Sequence, residues 1–331
     1  MAAIELESLT KDYGEVLAND GVTFDVERGE IFGYLGPNGA GKTTTIRTLL
    51  GLLSPTAGTA RLLGRDVTDE EQLLEAKRRL GYLPDDPAFD ETATGREIID
   101  LHASIKGDER SDELLELFDP PLDREVREYS RGNVQKLGLV VTFMHDPDLV
   151  ILDEPTSGLD PLLQQRFNEF LRAEREQGMT VFFSSHILSE VRRLCDRVGI
   201  IRNGRLVAVE PVESLLDRSG KVVRLRTAAP IPTEALEIDG VHDLETAVGA
   251  AETTDAGTGS EYTFTFTGDV NALLEALREY RLLDLSIEEA PLEEVFMRFY
   301  GGSATTDRDE QGDRVAAAGG ESEGDTGDGD V

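Results

Sequence analysis

The nine residues Gly-Pro-Asn-Gly-Ala-Gly-Lys-Thr-Thr, Gly36 to Thr44, constrain the fold of this 331-residue chain more than any other stretch. They fit the spacing G-x-x-x-x-G-K-[ST], which a random sequence of this composition matches in roughly one such chain per hundred. An apolar run, Ile31 to Leu35, precedes them, and a helical pattern, Lys42 to Leu53, follows. A glycine loop between strand and helix turns backbone N–H groups toward one point, and the helix N-terminus adds its dipole. That is a phosphate cradle. In it Lys42 reaches the β- and γ-phosphates of a nucleotide and the Thr43 hydroxyl is placed to ligate Mg²⁺. Gly36, Asn38, Gly39, Ala40, Gly41 and Thr44 supply the rest of the loop.

A second apolar run, Leu149 to Leu152, ends in Asp153-Glu154-Pro155. A continuous apolar run marks a strand buried on both faces. Solvation of a strand end would suit one acid. Two adjacent acids, with a P-loop in the same sheet, point to chemistry. Asp153 is placed to hold Mg²⁺, directly or through water, and Glu154 to act on the attacking water as base or orienter.

Further strands are expected at Ile4 to Leu9, Val22 to Val26 and Thr180 to Ser184. Val198 to Arg202 and Arg205 to Val209 flank Asn203-Gly204, a strong hairpin signal. Helical patterns run over Asp69 to Leu80, Gln164 to Gln177, Ile187 to Asp196 and about 90–145. Strands alternating with helices predict an α/β fold around a mostly parallel sheet. Residues 1–220 form this domain. Beyond it, strands at Val222 to Arg226 and Tyr262 to Phe266, with helices at Asn271 to Tyr280 and Leu292 to Tyr300, predict a small α+β appendage over 221–300. Residues 301–331 are acidic, glycine-rich and nearly free of apolar residues, and are predicted to be disordered.

The net charge is −33, and only 6 of the 33 basic residues are lysines. This opposes nonspecific nucleic-acid binding, because phosphates need cations. It also opposes direct docking on anionic lipid. The tail, with 9 acids and 2 arginines, carries −7 of the −33, so most of the excess lies on the folded chain. Dense surface carboxylates with few lysines resemble proteins of salt-loving organisms, where salt screens the repulsion. The single cysteine, Cys195, excludes an internal disulfide and reads as a small buried side chain in a helix. No charge-free apolar stretch is long enough to span a bilayer, and the N-terminus lacks the pattern of a signal peptide. A cytoplasmic protein is expected.

Taken in order, these motifs resemble the ATP-binding cassette (ABC) family, the ATPase subunits of ABC transporters, over about residues 3 to 215. The resemblance implies a P-loop cassette with a mostly parallel core, an antiparallel β subdomain and a helical subdomain at about 90–145. It implies ATP and Mg²⁺ as ligands. Tyr13 matches the aromatic residue that stacks on adenine. Ser157-Gly158-Leu159-Asp160 matches the D-loop that crosses to a partner subunit. His186, after Val-Phe-Phe-Ser-Ser, matches the switch histidine that contacts the γ-phosphate.

Two stretches depart from the family pattern. Asp85 stands where glutamine is usual, and is placed either to ligate Mg²⁺ or to form the turn after Pro84. The signature LSGGQ is here Tyr129-Ser130-Arg131-Gly132-Asn133, with Ser130 and Gly132 retained. This YSRG form, and Ala290 to Gly302 in the appendage, resemble the drug- and antibiotic-exporting branch. Ser130 reads as an N-cap, yet a helix start is also an anion site. The chain's own P-loop already cradles one nucleotide. A second phosphate-facing helix start therefore implies a second ATP-binding subunit, most simply another copy. Arg131 faces either that phosphate or solvent. With no membrane span, a separate permease is implied, holding the subunit at the inner face of the membrane.

Two other readings compete. One is an ATP-gated clamp on nucleic acid or chromosomes. Such clamps separate the halves of the site by hundreds of residues or carry two cassettes, whereas Lys42 and Asp153 are 111 positions apart in a single cassette. The other is a catalytically dead regulatory cassette, which conflicts with Lys42, Glu154 and His186 all being in place.

Overall fold

The structure, a computed structural model, describes residues 2–232, 235–236, 238–248 and 260–289. The expected helix at Leu292 to Tyr300, the Ala290 to Gly302 segment and the acidic tail lie outside the described residues. The chain divides into two compact units, Met1–Arg218 and the part from Ser219 onward.

In the first unit, strands β1 (Ala2–Asp12), β2 (Leu17–Glu27), β4 (Ala57–Leu62) and β5 (Arg65–Asp66) form one sheet, in the order β2-β1-β4-β5. All its strand pairs are antiparallel. A six-stranded sheet has the order β10-β9-β3-β8-β7-β6, with β3 (Ile31–Leu35), β6 (Leu80–Leu83), β7 (Leu149–Asp153), β8 (Thr180–Ser185), β9 (Arg197–Arg202) and β10 (Arg205–Pro211). All its pairs are parallel except the β9–β10 hairpin. At that turn Asn203 has φ 49° and Gly204 φ 76°, the left-handed pair that a tight hairpin needs. Strands β3, β7 and β8 are buried at every residue, as the apolar runs Ile31 to Leu35, Leu149 to Leu152 and Val181 to Phe183 favour. The two sheets share one core, in which the rings of Phe24 and Phe32 stack at 5.2 Å and those of Phe32 and Phe182 at 6.0 Å.

Helices α1 (Lys42–Leu49), α2 (Glu70–Arg78), α6 (Pro161–Glu176), α7 (Leu188–Leu194) and α8 (Val212–Ser219) alternate with these strands. Helices α3 (Gly95–Lys106), α4 (Ser111–Phe118) and α5 (Arg131–Phe143) fill the interval between β6 and β7. Several expected boundaries shift for local reasons. The helix expected through Leu53 ends at Leu49, because Gly51 turns to φ 66° and the N–H groups of Leu52 and Leu53 both return to the Arg47 carbonyl. The helix expected at Asp69 to Leu80 loses both ends. Asp69 caps α2 by accepting the Gln72 N–H, and Leu80 opens β6. The interval expected to be helical over 90–145 is broken where Asp119 takes φ 47° before Pro120-Pro121. Helix α6 starts three residues early, at Pro161, which fits the first turn behind the Asp160 cap. Cys195 is buried, but it lies just past α7 rather than within it.

The second unit is an antiparallel sheet with the order β12-β13-β11-β14, from β11 (Lys221–Thr227), β12 (Val241–Val248), β13 (Ser260–Phe266) and β14 (Leu282–Glu289). Helix α9 (Val270–Leu277) buries Leu273 and Leu277 in a core with Val223, Leu225, Phe264 and Phe266. The α+β expectation holds here, although β12 and β14 were not anticipated.

Candidate nucleotide site

Strands β3, β8 and β7 are neighbours and parallel, so the loops leaving their carboxyl ends meet at one edge. The register sets Asp153 beside Ser184 and Leu35 beside Ser185. The glycine loop thus leaves β3, Asp153 and Glu154 end β7, and His186 follows β8.

Gly41 is the N-cap of α1, with φ 110° and no side-chain cap. The first N–H groups of α1 are therefore left for a ligand. By contrast, α5 and α6 are capped by the side chains of Ser130 and Asp160. A Cβ on Gly41 would lie 2.4 Å from the Ala18 carbonyl oxygen, so glycine is required by space as well as by φ. Gly36 and Ala40 serve packing rather than the cavity. A Cβ on Gly36 would lie 2.4 Å from the Ile201 oxygen, and the Ala40 carbonyl accepts the Gly204 N–H at 2.9 Å. Asn19, buried, donates to Thr45 Oγ1 at 3.0 Å and braces α1. No local signal identified it, since it lies on β2, far from the loop in sequence.

Lys42 is only 7% exposed. Its ammonium donates to the Gly36 carbonyl and lies 3.8 Å from Glu154 Oε1. Burial lowers its pKa, and the charges of Glu154 and Asp153 oppose that shift. Asp153 is buried and accepts from Ser184 Oγ at 2.9 Å. Burial raises its pKa, the Ser184 hydrogen bond opposes this, and the nearby charge of Asp85 raises it further. Glu154 sits at φ 49°, a costly conformation for a non-glycine residue. Its N–H donates to the Ser184 carbonyl at 3.0 Å, and its Oε2 is 2.9 Å from His186 Nδ1. Burial raises the Glu154 pKa, and His186 and Lys42 oppose that.

These groups border a cavity of about 830 Å³, lined by Asn38, Gly39, Gly41, Lys42, Thr43, Thr44, Asp85, Asp153 and Glu154 among others. That volume suits a small-molecule ligand of nucleotide size. Among the described residues no cluster of three or more His, Cys, Asp or Glu is placed to hold a metal ion. The oxygen donors at hand, Thr43 and Asp153 with Asp85 nearby, fit a hard cation such as Mg²⁺, which keeps waters and takes substrate phosphate oxygens as further ligands.

The other expected residues lie outside this cavity lining. Tyr13 is 53% exposed under the Lys11 ammonium, 5.2 Å from its ring centroid, while Val16, Leu17 and Ala18 form the cavity wall on that side. Ser130 accepts the Asn133 N–H at 3.3 Å, and Asp160 accepts from Leu162 and Leu163 at 3.1 and 3.0 Å. A Cβ on Gly132 would lie 2.6 Å from the Gly158 carbonyl oxygen, so the start of α5 abuts the Ser157–Asp160 loop directly. Gln135, buried on α5, donates to the Pro155 carbonyl at 3.0 Å and ties that helix to the loop after Glu154. The expectation that Arg131 faces phosphate or solvent is incomplete. Its guanidinium donates to Asp85 Oδ1 at 3.3 Å, so these two departures from the family pattern pair with each other.

Comparison with known proteins agrees with this geometry. Residues 19–157 match the family described as ABC transporter. The bacitracin transport ATP-binding protein BcrA of Bacillus licheniformis is 34% identical over 307 residues, covering 90% of this chain and 97% of that protein. The Nod factor export ATP-binding protein I of Paraburkholderia xenovorans is 34% identical over 314 residues, covering 91% and 97%. A solved structure described as the ATP binding subunit of an ABC transporter aligns with a TM-score of 0.59 at 32% identity, over 65% of this chain and 92% of that one. With its P-loop, paired acids and histidine on one sheet edge, the chain belongs to the ABC transporter family, as an ATP-binding and ATP-hydrolysing subunit.

Proposed function

We propose that two copies of this chain close on two ATP molecules, and that closure drives export through a separate membrane permease. Each ATP is held by the Gly36–Thr44 loop of one copy and the Ser130–Asn133 helix start of the other. One observation carries this reading. The P-loop, Asp153 and Glu154 line a single cavity, whereas Ser130 sits exposed at a helix start outside its lining. A second chain completes such a divided site.

Within it, Lys42 and the open N–H groups of α1 bind the phosphates. Glu154 orients the attacking water and accepts its proton, and burial improves it as a base near neutral pH. His186, 2.9 Å away, holds the Glu154 carboxylate and is exposed enough to reach the γ-phosphate. Thr43 and Asp153, with Asp85 when released from Arg131, hold Mg²⁺. That ion neutralises phosphate charge when bound. The exposed Tyr13 ring stacks on adenine, and Asp160 faces the partner at the capped start of α6.

Export is favoured by the kinship to proteins named for bacitracin transport and Nod factor export. The permease selects the cargo. Among the described residues no helix is long and apolar enough to cross a membrane, which suits a peripheral position at the inner face. The charge of −33 fits work at high salt and opposes a nucleic-acid partner. Residues 221–300 serve as an accessory domain to the cassette at 1–220.

The test is Glu154→Gln, which keeps the shape of the site but removes the base. In ATP and Mg²⁺ it accumulates as a stable dimer with twice the 36.2 kDa chain mass by light scattering. A variant that binds ATP yet stays at the single-chain mass would sink the proposal.

A further inference from the structure

Glu190, on α7, is absent from the residues that the sequence motifs single out. Its carboxylate takes two hydroxyl hydrogen bonds. Thr156 Oγ1 donates to Oε1 at 2.5 Å, and Ser185 Oγ donates to Oε2 at 2.8 Å. Thr156 lies two residues past Glu154, and Ser185 immediately precedes His186. Both hydroxyl residues are buried, at 5% and 0% exposure, so each depends on a protein acceptor for its hydrogen bond. Ser185 Oγ also accepts the Ile187 N–H at 2.9 Å, which fixes the backbone on both sides of His186.

These contacts close a ring. It runs from Glu154 along the chain to Thr156, through Glu190 to Ser185, along the chain to His186, and back to Glu154 at 2.9 Å. Glu154 needs such support. Its φ of 49° persists only where the surroundings over-determine it. The Ser184 carbonyl holds its N–H at 3.0 Å, and the Ser157 N–H holds its carbonyl at 3.1 Å. Glu190 adds a side-chain link between the two loops, from Thr156 to Ser185, the residue next to His186.

We propose that Glu190 is a positioning residue for hydrolysis: one carboxylate sets the loops of Glu154 and His186 relative to each other, so that the attacking water is oriented. This rests on the function proposed above. Glu190 lies off the phosphate cavity lining, so it acts on the chemical step and not on ATP binding.

The test uses the full chain and steady-state ATP hydrolysis. Glu190→Ala frees both loops and lowers kcat by ~10- to 100-fold, the usual effect of losing a group that orients a reacting side chain. KM for ATP stays within about twofold, because the lost interaction serves the transition state alone. Glu190→Gln keeps one acceptor and offers an amide donor to the other hydroxyl oxygen, so it retains most of kcat. Thr156→Val in the Glu190→Ala background adds no further loss, since the shared contact is already gone. Wild-type kcat in Glu190→Ala overturns the proposal. So does a loss carried by KM, or a Gln variant as impaired as Ala. If Glu190→Ala does not fold, Glu190→Gln and Thr156→Val alone decide, with Thr156→Val expected to lower kcat at constant KM. A wild-type chain without ATPase activity takes down the proposed function as well, whereas an active wild type with unaffected Glu190 variants overturns this inference only.

Discussion

Replacing Gly132 with alanine probes the seam where the start of α5 meets the Ser157–Asp160 loop. The new Cβ would stand 2.6 Å from the Gly158 carbonyl oxygen, and contacts under 3.0 Å are essentially never seen. The two loops must therefore part by at least 0.4 Å, from 2.6 to 3.0 Å, and both partners are backbone. Gly132 is not at positive φ, so the whole cost is steric. Overpacking of this kind costs about 1–3 kcal/mol. Alanine returns about 0.5–1 kcal/mol through its helix preference. The net loss lies between about 0 and 2.5 kcal/mol, near 1 at the middle of both ranges, and lowers Tm by up to roughly 10 °C in a unit of this size. Hydrolysis falls by more than stability implies, because the shift moves Gly158, Leu159 and Asp160 and, through Pro155, strains the Glu154 loop. The assay pairs thermal melts by circular dichroism with ATP turnover well below Tm. Gly64→Ala is the reference. It has φ 79° and open space around it, so it costs about 1–2 kcal/mol of left-handed strain without touching the site. If Gly132→Ala loses no more ATPase than Gly64→Ala, the reasoning fails.

Two solution dependences follow from the charges. Glu154 holds its proton more tightly when folded than when unfolded, because it is buried. Its contribution to stability is therefore present below the ordinary glutamate value of 4.5 and is lost as pH rises through the raised value. In nucleotide-free protein, Glu154→Gln is more stable than wild type by a margin that grows with pH across that window. The acid limb of wild-type kcat/KM lies at the raised value, and a limb at or below 4.5 contradicts the role of Glu154 as base. The net charge of −33 makes self-repulsion large at low salt. Raising KCl from about 0.1 to 1 M shortens the screening length from ~10 to ~3 Å, so Tm rises. A flat melting temperature over that range refutes the high-salt reading.

Much of this site was legible because its chemistry is local. The loop from Gly36 to Thr44 is set by glycines that must bend and a lysine that must follow them. The strand before Asp153 announces itself by burial on both faces. Elements without a local signature were missed. Strand β4, Ala-Gly-Thr-Ala-Arg-Leu, buries only Ala60 and Leu62, and exists because β1 pairs with it. Contacts between distant residues were equally silent. Asp85 and Arg131 are 46 positions apart, and each alone reads as an odd substitution. Glu190 looks like an ordinary helix acid until Thr156 and Ser185 are seen to converge on it. Asn19 supports α1 across 26 positions. Ser184 had a weak signal, as a hydroxyl residue just before the histidine loop. Chain order shows which groups are available, and packing decides which of them meet.

The central claim, that each ATP is shared between two chains, is tested most directly by mixing two inactive variants. Lys42→Ala removes the phosphate-binding cation of one half-site. Ser130→Asp keeps the helix cap, since aspartate caps as well as serine, but sets a negative charge where the partner's phosphate belongs. Neither variant alone has an intact site. In a mixed dimer, the P-loop of the Ser130→Asp chain meets the unaltered signature of the Lys42→Ala chain. An equal mixture then regains about one quarter of wild-type ATPase activity, from random pairing with one good site in each mixed pair. A mixture as inactive as its parents, or a Ser130→Asp chain that hydrolyses ATP normally by itself, contradicts the shared site.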